Sequence, residues 1–192
     1  MTLKSKKEIR REVFDKRKCL LKDNVVRKSI EITNHIICMN EFITGSIIMA
    51  YMDFNNEVMT GFLIDHCFNM GKRLVLPLVD DENGIKIIKA YEVKDLQQDL
   101  KPGCYGILEP VKDKTIEVDP KLIDMVIVPG VAFDINRNRI GYGAGYYDNF
   151  LIKLRRECYK VGIAFDFQIY SKIASEDHDI SLDIVVTENC TY

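Results

Sequence analysis

The chain has 192 residues, 47% of them hydrophobic and 29% charged, with 27 basic against 29 acidic side chains for a formal charge of −2. That balance excludes a disordered tail protein and a globally basic nucleic-acid binder, and predicts one domain with a core of its own. No apolar run approaches the ~20 residues that cross a bilayer.

The N-terminal segment is charged and has no apolar stretch of the secretory kind, so a cytoplasmic protein without membrane partners is expected. Six cysteines at 19, 38, 67, 104, 158 and 190 form no C-x-x-C or other zinc-type pair. They are expected to be reduced thiols.

Residues 1–28 carry eleven Lys or Arg against four acids. Ile9, Val13, Leu20 and Leu21 keep helical spacing there, which predicts an amphipathic helix. Lys6 and Arg10 share one face of it, as a solvated basic surface or as an anion site. A second helix is predicted with Asp23 or Asn24 as cap and Val26, Ile30 and Ile37 as its apolar stripe. Ile47 to Met52 reads as a buried strand and Asp53 to Asn56 as loop. Phe62, Leu63, Cys67 and Met70 mark a helix ending at Gly71, and Leu74 to Leu76 the next strand. A strand, helix and strand in this order imply a parallel crossover.

Asp80–Gly84 is a turn cluster and Ile85 to Tyr91 an edge strand or hairpin arm. Between residues 92 and 120, Pro102, Pro110 and Pro120 break any long element. Met125 to Val128 is a strand stopped by Pro129 and Gly130. A glycine-rich stretch and a helix carrying Phe150, Leu151 and Leu154 follow, then strands at Val161 to Phe165 and Ile184 to Val186. The alternation predicts an α/β fold, a three-layer αβα sandwich around a mostly parallel, Rossmann-like sheet, with residues 1–192 as a single domain.

Chemistry concentrates between Pro129 and Leu151. Gly141, Gly143 and Gly145 alternate between a strand and a helix, so backbone N–H groups are free to converge on one anion. Arg137 and Arg139 lie just upstream, suited to bidentate phosphate contacts. The run is neither a P-loop nor the dinucleotide fingerprint. It reads as a phosphate cradle or as a tight turn packing a helix onto a sheet.

Asp148, in the first turn of the predicted helix, either stabilises the dipole or helps hold Mg²⁺. Asp177, His178 and Asp179 supply a further carboxylate or an acidic surface loop. Glu57, beyond a strand end, is a ligand contact or a helix cap. Tyr146 and Tyr147 stack on a planar ring or pack. His35 and His66 lie within predicted helices and read as structural.

With these residues in place, the chain resembles the 5-formyltetrahydrofolate cyclo-ligases, also called methenyltetrahydrofolate synthetases. The match is collinear over nearly the whole length. It runs from K-x-x-x-R at Lys6 to Arg10 through Ala50-Tyr51-Met52, Glu57-Val58-Met59-Thr60, Gly71-Lys72 with Pro77, and Tyr105 to Pro110. The most specific part is P-G-x-A-F-D followed by R-x-G-x-G-x-G-Y-Y-D, from Arg139 to Asp148. Gly162 to Phe165 with Gln168, then His178-Asp179, close the series. Asn136-Arg137-Asn138 stands where the family often has a glycine before its loop arginine, and Asn tolerates the left-handed turn. Leu78 stands where a basic residue is frequent, and Ala144 where some members carry Lys.

The resemblance implies ATP- and Mg²⁺-dependent closure of 5-formyltetrahydrofolate to 5,10-methenyltetrahydrofolate, with ADP and phosphate as by-products. It implies ATP contacts from Lys6, Arg10, Arg139, Ile140, Gly141, Tyr142, Gly143, Ala144, Gly145, Tyr146 and Tyr147. Met52, Glu57 and Tyr146 would line the folate site, with Asp148 and Asp179 at Mg²⁺ and no general base identified. The partners are then small molecules, ATP and the folate, and a monomer is expected. The rivals are a sugar-phosphate isomerase or acyl-transfer enzyme, which would turn over without ATP, and a nucleic-acid module using the basic helix.

Overall fold

A computed structural model describes residues 4–103, 106–174, 176 and 179–192. Cys104, Tyr105, Asp177 and His178 lie outside the described residues. The N-terminal helix α1 spans Lys6–Lys18, begun by Ser5 and Glu8 in a reciprocal capping box. It buries Ile9, Val13 and Arg17, and ends before Leu20 and Leu21, so those leucines are not part of its stripe. Leu21 is exposed and precedes α2, Lys22–Ile37.

The predicted register of α2 is off by one residue, a rotation of about 100°. Val25, Ser29, Ile32, Thr33 and Ile36 face inward, Ile30 is exposed, and no side chain caps the N-terminus. A buried serine sits on this face because its hydroxyl donates to Val25 O (2.7 Å) and accepts from Met59 N (2.9 Å).

After α3 (Asn40–Thr44), β1 (Ile47–Met49) leads through a loop to α4 (Gly61–Asn69) and β2 (Arg73–Glu82), and β1 and β2 pair in parallel as the crossover requires. β2 extends well past Leu76, because it pairs with β3 (Ile85–Val93) up to Glu82. The turn is therefore only Asn83-Gly84, both at positive φ (56° and 82°), the backbone a two-residue hairpin needs. Three short strands follow, β4 (Leu100–Pro102), β5 (Leu108–Pro110) and β6 (Ile116–Glu117). Then come β7 (Met125–Val128), the hairpin β8 (Ala132–Asp134) and β9 (Arg139–Ile140), α5 (Tyr146–Leu151), β10 (Tyr159–Ile163), β11 (Ile169–Tyr170) and β12 (Ile184–Val186). Leu154 lies beyond the end of α5 and packs partly buried on the core.

The main sheet has the order β12-β10-β7-β1-β2-β3-β6. Its first five strands are parallel and the last two antiparallel. Side-chain alternation divides the core into layers. Met125 and Ile127 of β7 join Val25, Ile32 and Leu63 beneath α2 and α4, while Val126 and Val128 join Phe133, Phe150 and Leu151 on the opposite face. This is the three-layer α/β sandwich the strand and helix order predicts.

Phe133 sets the spacing of the second layer. A Cβ at Gly130 would stand 2.4 Å from its Cζ, and one at Gly162 2.8 Å from its Cε1. The two glycines let the ring lie against bare backbone.

Candidate active site

Strand order reverses at β1, with β2 on one side and β7 on the other. In an open α/β sheet the loops at the carboxyl ends of such neighbours cannot cover each other, and a crevice is left. Here it is a cleft of about 570 Å³. Its floor is Tyr51, Met52 and Pro129, which follow β1 and β7, and its walls are α1, the glycine loop, and the hairpin β2–β3. Lys6, Arg10, Met52, Glu57, the whole run from Arg139 to Asp148, and Asp179 all line it.

The cleft wall around the glycine loop is densely charged, with Lys6, Arg10 and Arg139 standing among Asp148, Glu176 and Asp179. Arg10 Nε donates to Gly141 O (2.8 Å), so α1 braces the glycine loop. Gly143 and Gly145 have φ of 110° and 68°, a region that L side chains rarely enter. Arg139 is buried and pairs with Asp148 (Nη2–Oδ1 2.6 Å), its guanidinium 5.8 Å from the Tyr147 ring centre. Lys6 pairs with Asp179 and Glu176, both at 2.9 Å. Arg139 Nε and the buried Tyr147 hydroxyl have no hydrogen-bond partner in the protein among the described residues, and both belong to the cleft wall. Burial of Tyr147 pushes its hydroxyl pKa up, which keeps it a neutral donor.

The cleft also holds a buried carboxylate. Glu57 is 2% exposed and is not a helix cap: α4 starts after Thr60, whose N–H goes to Asp53 (2.9 Å). Glu57 accepts from the Tyr142 hydroxyl and from Phe54 N (3.3 Å), and lies 3.6 Å from Arg17 Nη1. Burial drives its pKa up to about 7, against the pull of Arg17, Tyr142 and the Phe54 amide. Tyr142 is partly exposed, yet its hydroxyl reaches Glu57, and its ring stacks on Phe14 (centroids 5.9 Å) and meets Phe54 at a tilt (5.4 Å).

The sequence reading misplaces Arg137. It is exposed at the tip of the β8–β9 hairpin, its carbonyl accepts from Leu182 N (3.1 Å), and it is not among the cleft-lining residues. Arg137 itself takes the left-handed turn (φ 67°), not a neighbouring asparagine, because Asp134 Oδ1 claims the N–H groups of both Asn136 and Asn138. Leu78 is buried and apolar. Gln168 closes on Val131 O (2.9 Å) and Phe165 N (3.0 Å), and Lys72 on Gly45 O (2.6 Å), so both anchor loops. His35 and His66 each turn a ring nitrogen to a backbone carbonyl, at 3.1 and 2.8 Å.

Arg17 is the residue the sequence reading passes over. It follows Lys6 by eleven residues, about three helical turns, so the spacing puts it on the same face as Lys6 and Arg10. Among the described residues no three His, Cys, Asp or Glu side chains gather as a metal cluster, and no helix is long and apolar enough to cross a membrane. The described cysteines, Cys19, Cys38, Cys67, Cys158 and Cys190, are all free.

Sheet order and cleft together define a doubly wound α/β protein with its principal cleft at the topological switch point, where a glycine loop and a buried carboxylate meet. Residues 2–188 match the model of the 5-formyltetrahydrofolate cyclo-ligase family, and the chain belongs to that family of enzymes. It is 32% identical over 181 residues to a probable 5-formyltetrahydrofolate cyclo-ligase of Schizosaccharomyces pombe, covering 87% of each chain. It is 36% identical over 159 residues to the 5-formyltetrahydrofolate cyclo-ligase of Saccharomyces cerevisiae, covering 72% of this chain and 74% of that one. The solved structure of Aquifex aeolicus 5,10-methenyltetrahydrofolate synthetase superposes with a TM-score of 0.84 at 32% identity, over 97% of this chain and 91% of that one.

Proposed function

We propose that the enzyme converts 5-formyltetrahydrofolate and ATP into 5,10-methenyltetrahydrofolate, ADP and phosphate. The observation that carries this reading is one cleft that combines a glycine loop flanked by Lys6, Arg10 and Arg139 with an aromatic region around the buried carboxylate of Glu57. The first suits a polyphosphate and the second a planar heterocycle with N–H donors.

The chemistry explains why both belong in one cleft. A formamide oxygen is a poor leaving group. Its attack on the γ-phosphorus breaks the bond to ADP and makes it a phosphate ester. N10 then attacks the activated carbon, phosphate departs with the oxygen, and the N10 proton is lost to leave the methenyl bridge. The protein's task is to hold formyl oxygen and γ-phosphorus in line and to offset charge. Lys6, Arg10, Arg139 and the backbone between Gly141 and Tyr147 hold the phosphates. Glu57 accepts the pterin's N–H donors, and Met52 and Tyr146 flank the ring.

Asp148 and Asp179 fit Mg²⁺ in kind, since that ion takes one or two carboxylates together with phosphate oxygens. Mg²⁺ bound there would neutralise phosphate charge. Arg139 and Lys6 hold the two carboxylates in place meanwhile.

Mixing the purified protein with 5-formyltetrahydrofolate, Mg²⁺ and ATP is expected to give a rise in near-ultraviolet absorbance that stops when ATP or Mg²⁺ is omitted. A flat trace from folded protein that binds ATP would return the second substrate to unknown. Turnover without ATP would point to an isomerase or acyl-transfer reaction. Arg10→Ala removes both a phosphate contact and the brace on Gly141, so the KM for ATP is expected to rise roughly tenfold or more, with the folate KM within about twofold. The reverse pattern in steady-state kinetics would put α1 at the folate end.

A further inference from the structure

We infer that Arg17 is a positioning residue for the folate-recognising carboxylate: it clamps the Tyr142–Glu57 pair to the backbone at Gly130 and so fixes where Glu57 presents its oxygens. This rests on the reading that Glu57 receives the pterin's donors.

Three parts of the cleft meet at this one side chain. Its Nη1 donates to the Tyr142 hydroxyl at 2.8 Å and lies 3.6 Å from Glu57 Oε1. Its Nη2 donates to Gly130 O at 2.8 Å, which fixes the guanidinium to the loop after β7. Its own carbonyl accepts from Asn56 Nδ2 at 2.9 Å, tying the end of α1 to the loop that carries Glu57. Arg17 is 3% exposed and does not line the cleft, so it acts through Glu57 and Tyr142.

The clamp has an electrostatic consequence. The groups facing Glu57 are Arg17 from α1, Tyr142 from the glycine loop, Tyr147 from α5, and Tyr51 and Asp53 from its own segment. Of these Arg17 alone is cationic. Asp53 works to raise the Glu57 pKa, as burial does, and Arg17 opposes both. Without the arginine the carboxyl keeps its proton to higher pH, and a protonated carboxyl is a weaker acceptor for two N–H groups.

The test compares Arg17→Met, Arg17→Lys and Glu57→Gln, reading kcat/KM for 5-formyltetrahydrofolate against pH, the KM for ATP, and thermal stability. Because kcat/KM reports the free enzyme, its acid limb in the native protein is expected near pH 7, falling as Glu57 takes up its proton. In Arg17→Met the limb is expected to move up by about one pH unit or more, with roughly a tenfold rise in folate KM at pH 7 and an ATP KM within about twofold. Ionisations of the substrates are common to all variants and cancel in the comparison. Arg17→Lys keeps the charge and cannot span both contacts, so its limb is expected within about half a unit of native while its folate KM rises.

A folded Arg17→Met with an unmoved limb, or with both KM values raised alike, would overturn the proposal. So would an Arg17→Lys with a displaced limb or an unaltered folate KM, and this variant carries the test if Arg17→Met does not fold. The underlying reading fails separately. Glu57→Gln with an unchanged folate KM removes both, whereas Glu57→Gln with a raised KM beside an unmoved Arg17→Met limb removes only the role of Arg17.

Discussion

Gly143→Val is expected to weaken nucleotide binding by roughly 10- to 100-fold while leaving the melting temperature within a few degrees of native. The cause is backbone strain more than lost space. A Cβ at this position would meet Arg10 Nη2 at 3.7 Å, an ordinary contact, so the new side chain is not simply blocked. The φ of 110° is the obstacle, since a β-branched residue there costs on the order of 1–3 kcal/mol, or the loop relaxes to another shape. Under the proposed phosphate role a relaxed loop would present its N–H groups differently to the nucleotide, and each 1.4 kcal/mol is a factor of ten in affinity. Gly143 is exposed, so the core is not involved. Calorimetric titration with a non-hydrolysable ATP analogue reads the effect, and unchanged affinity in a folded variant would remove the glycine loop from the phosphate site.

Phe133→Ala is expected to have the largest effect on stability, a loss of about 3–5 kcal/mol. For a chain of this length that lowers the melting temperature by roughly 6–20 °C. The ring is fully buried and lies against Gly130 and Gly162, two positions chosen for having no side chain, so little nearby can move in to fill the gap. Gly130 O also receives Arg17 Nη2, so slack in this layer is expected to raise the folate KM as well. A calorimetric loss below about 1 kcal/mol would mean that the site collapses easily and that the close approach of ring and backbone is not what fixes the layer spacing.

These cases separate what lies along the chain from what needs the fold. The buried strands β1 and Met125–Val128 are legible as short apolar runs, although the run read from Ile47 to Met52 outlasts β1, which ends at Met49; Met125–Val128 alternates between the two core faces. The end of α4 is legible from Gly71, which takes the left-handed conformation (φ 66°) two residues after the last helical residue, Asn69. The alternating glycines from Gly141 to Gly145 are legible as a loop with left-handed positions for the same local reason, and Gly143 and Gly145 take them. Where patterning is ambiguous the reading slips. In α2 a serine takes a core position that periodicity gives to isoleucine, because only packing supplies the hydroxyl with two partners. The strand β2 outruns its apolar core because its pairing with β3, not its composition, sets the length.

The sequence by itself determined the layered α/β class, the cationic face of α1, the glycine loop between a strand and a helix, and Glu57 as a carboxylate near a strand end. Each follows from periodicity, spacing or residue type within a few neighbouring turns. Only the tertiary structure decided that Arg137 points away and that Tyr142, placed by sequence with the phosphates, sends its hydroxyl to Glu57 85 residues earlier. It alone brings Arg17 against Tyr142 across 125 residues. On a lysine- and arginine-rich helix an arginine outside the apolar stripe reads as solvated, because local rules judge an arginine by its usual exposure to water. An arginine becomes core when the fold delivers a carboxylate, a hydroxyl and a carbonyl to meet it, and those three arrive here from separate loops.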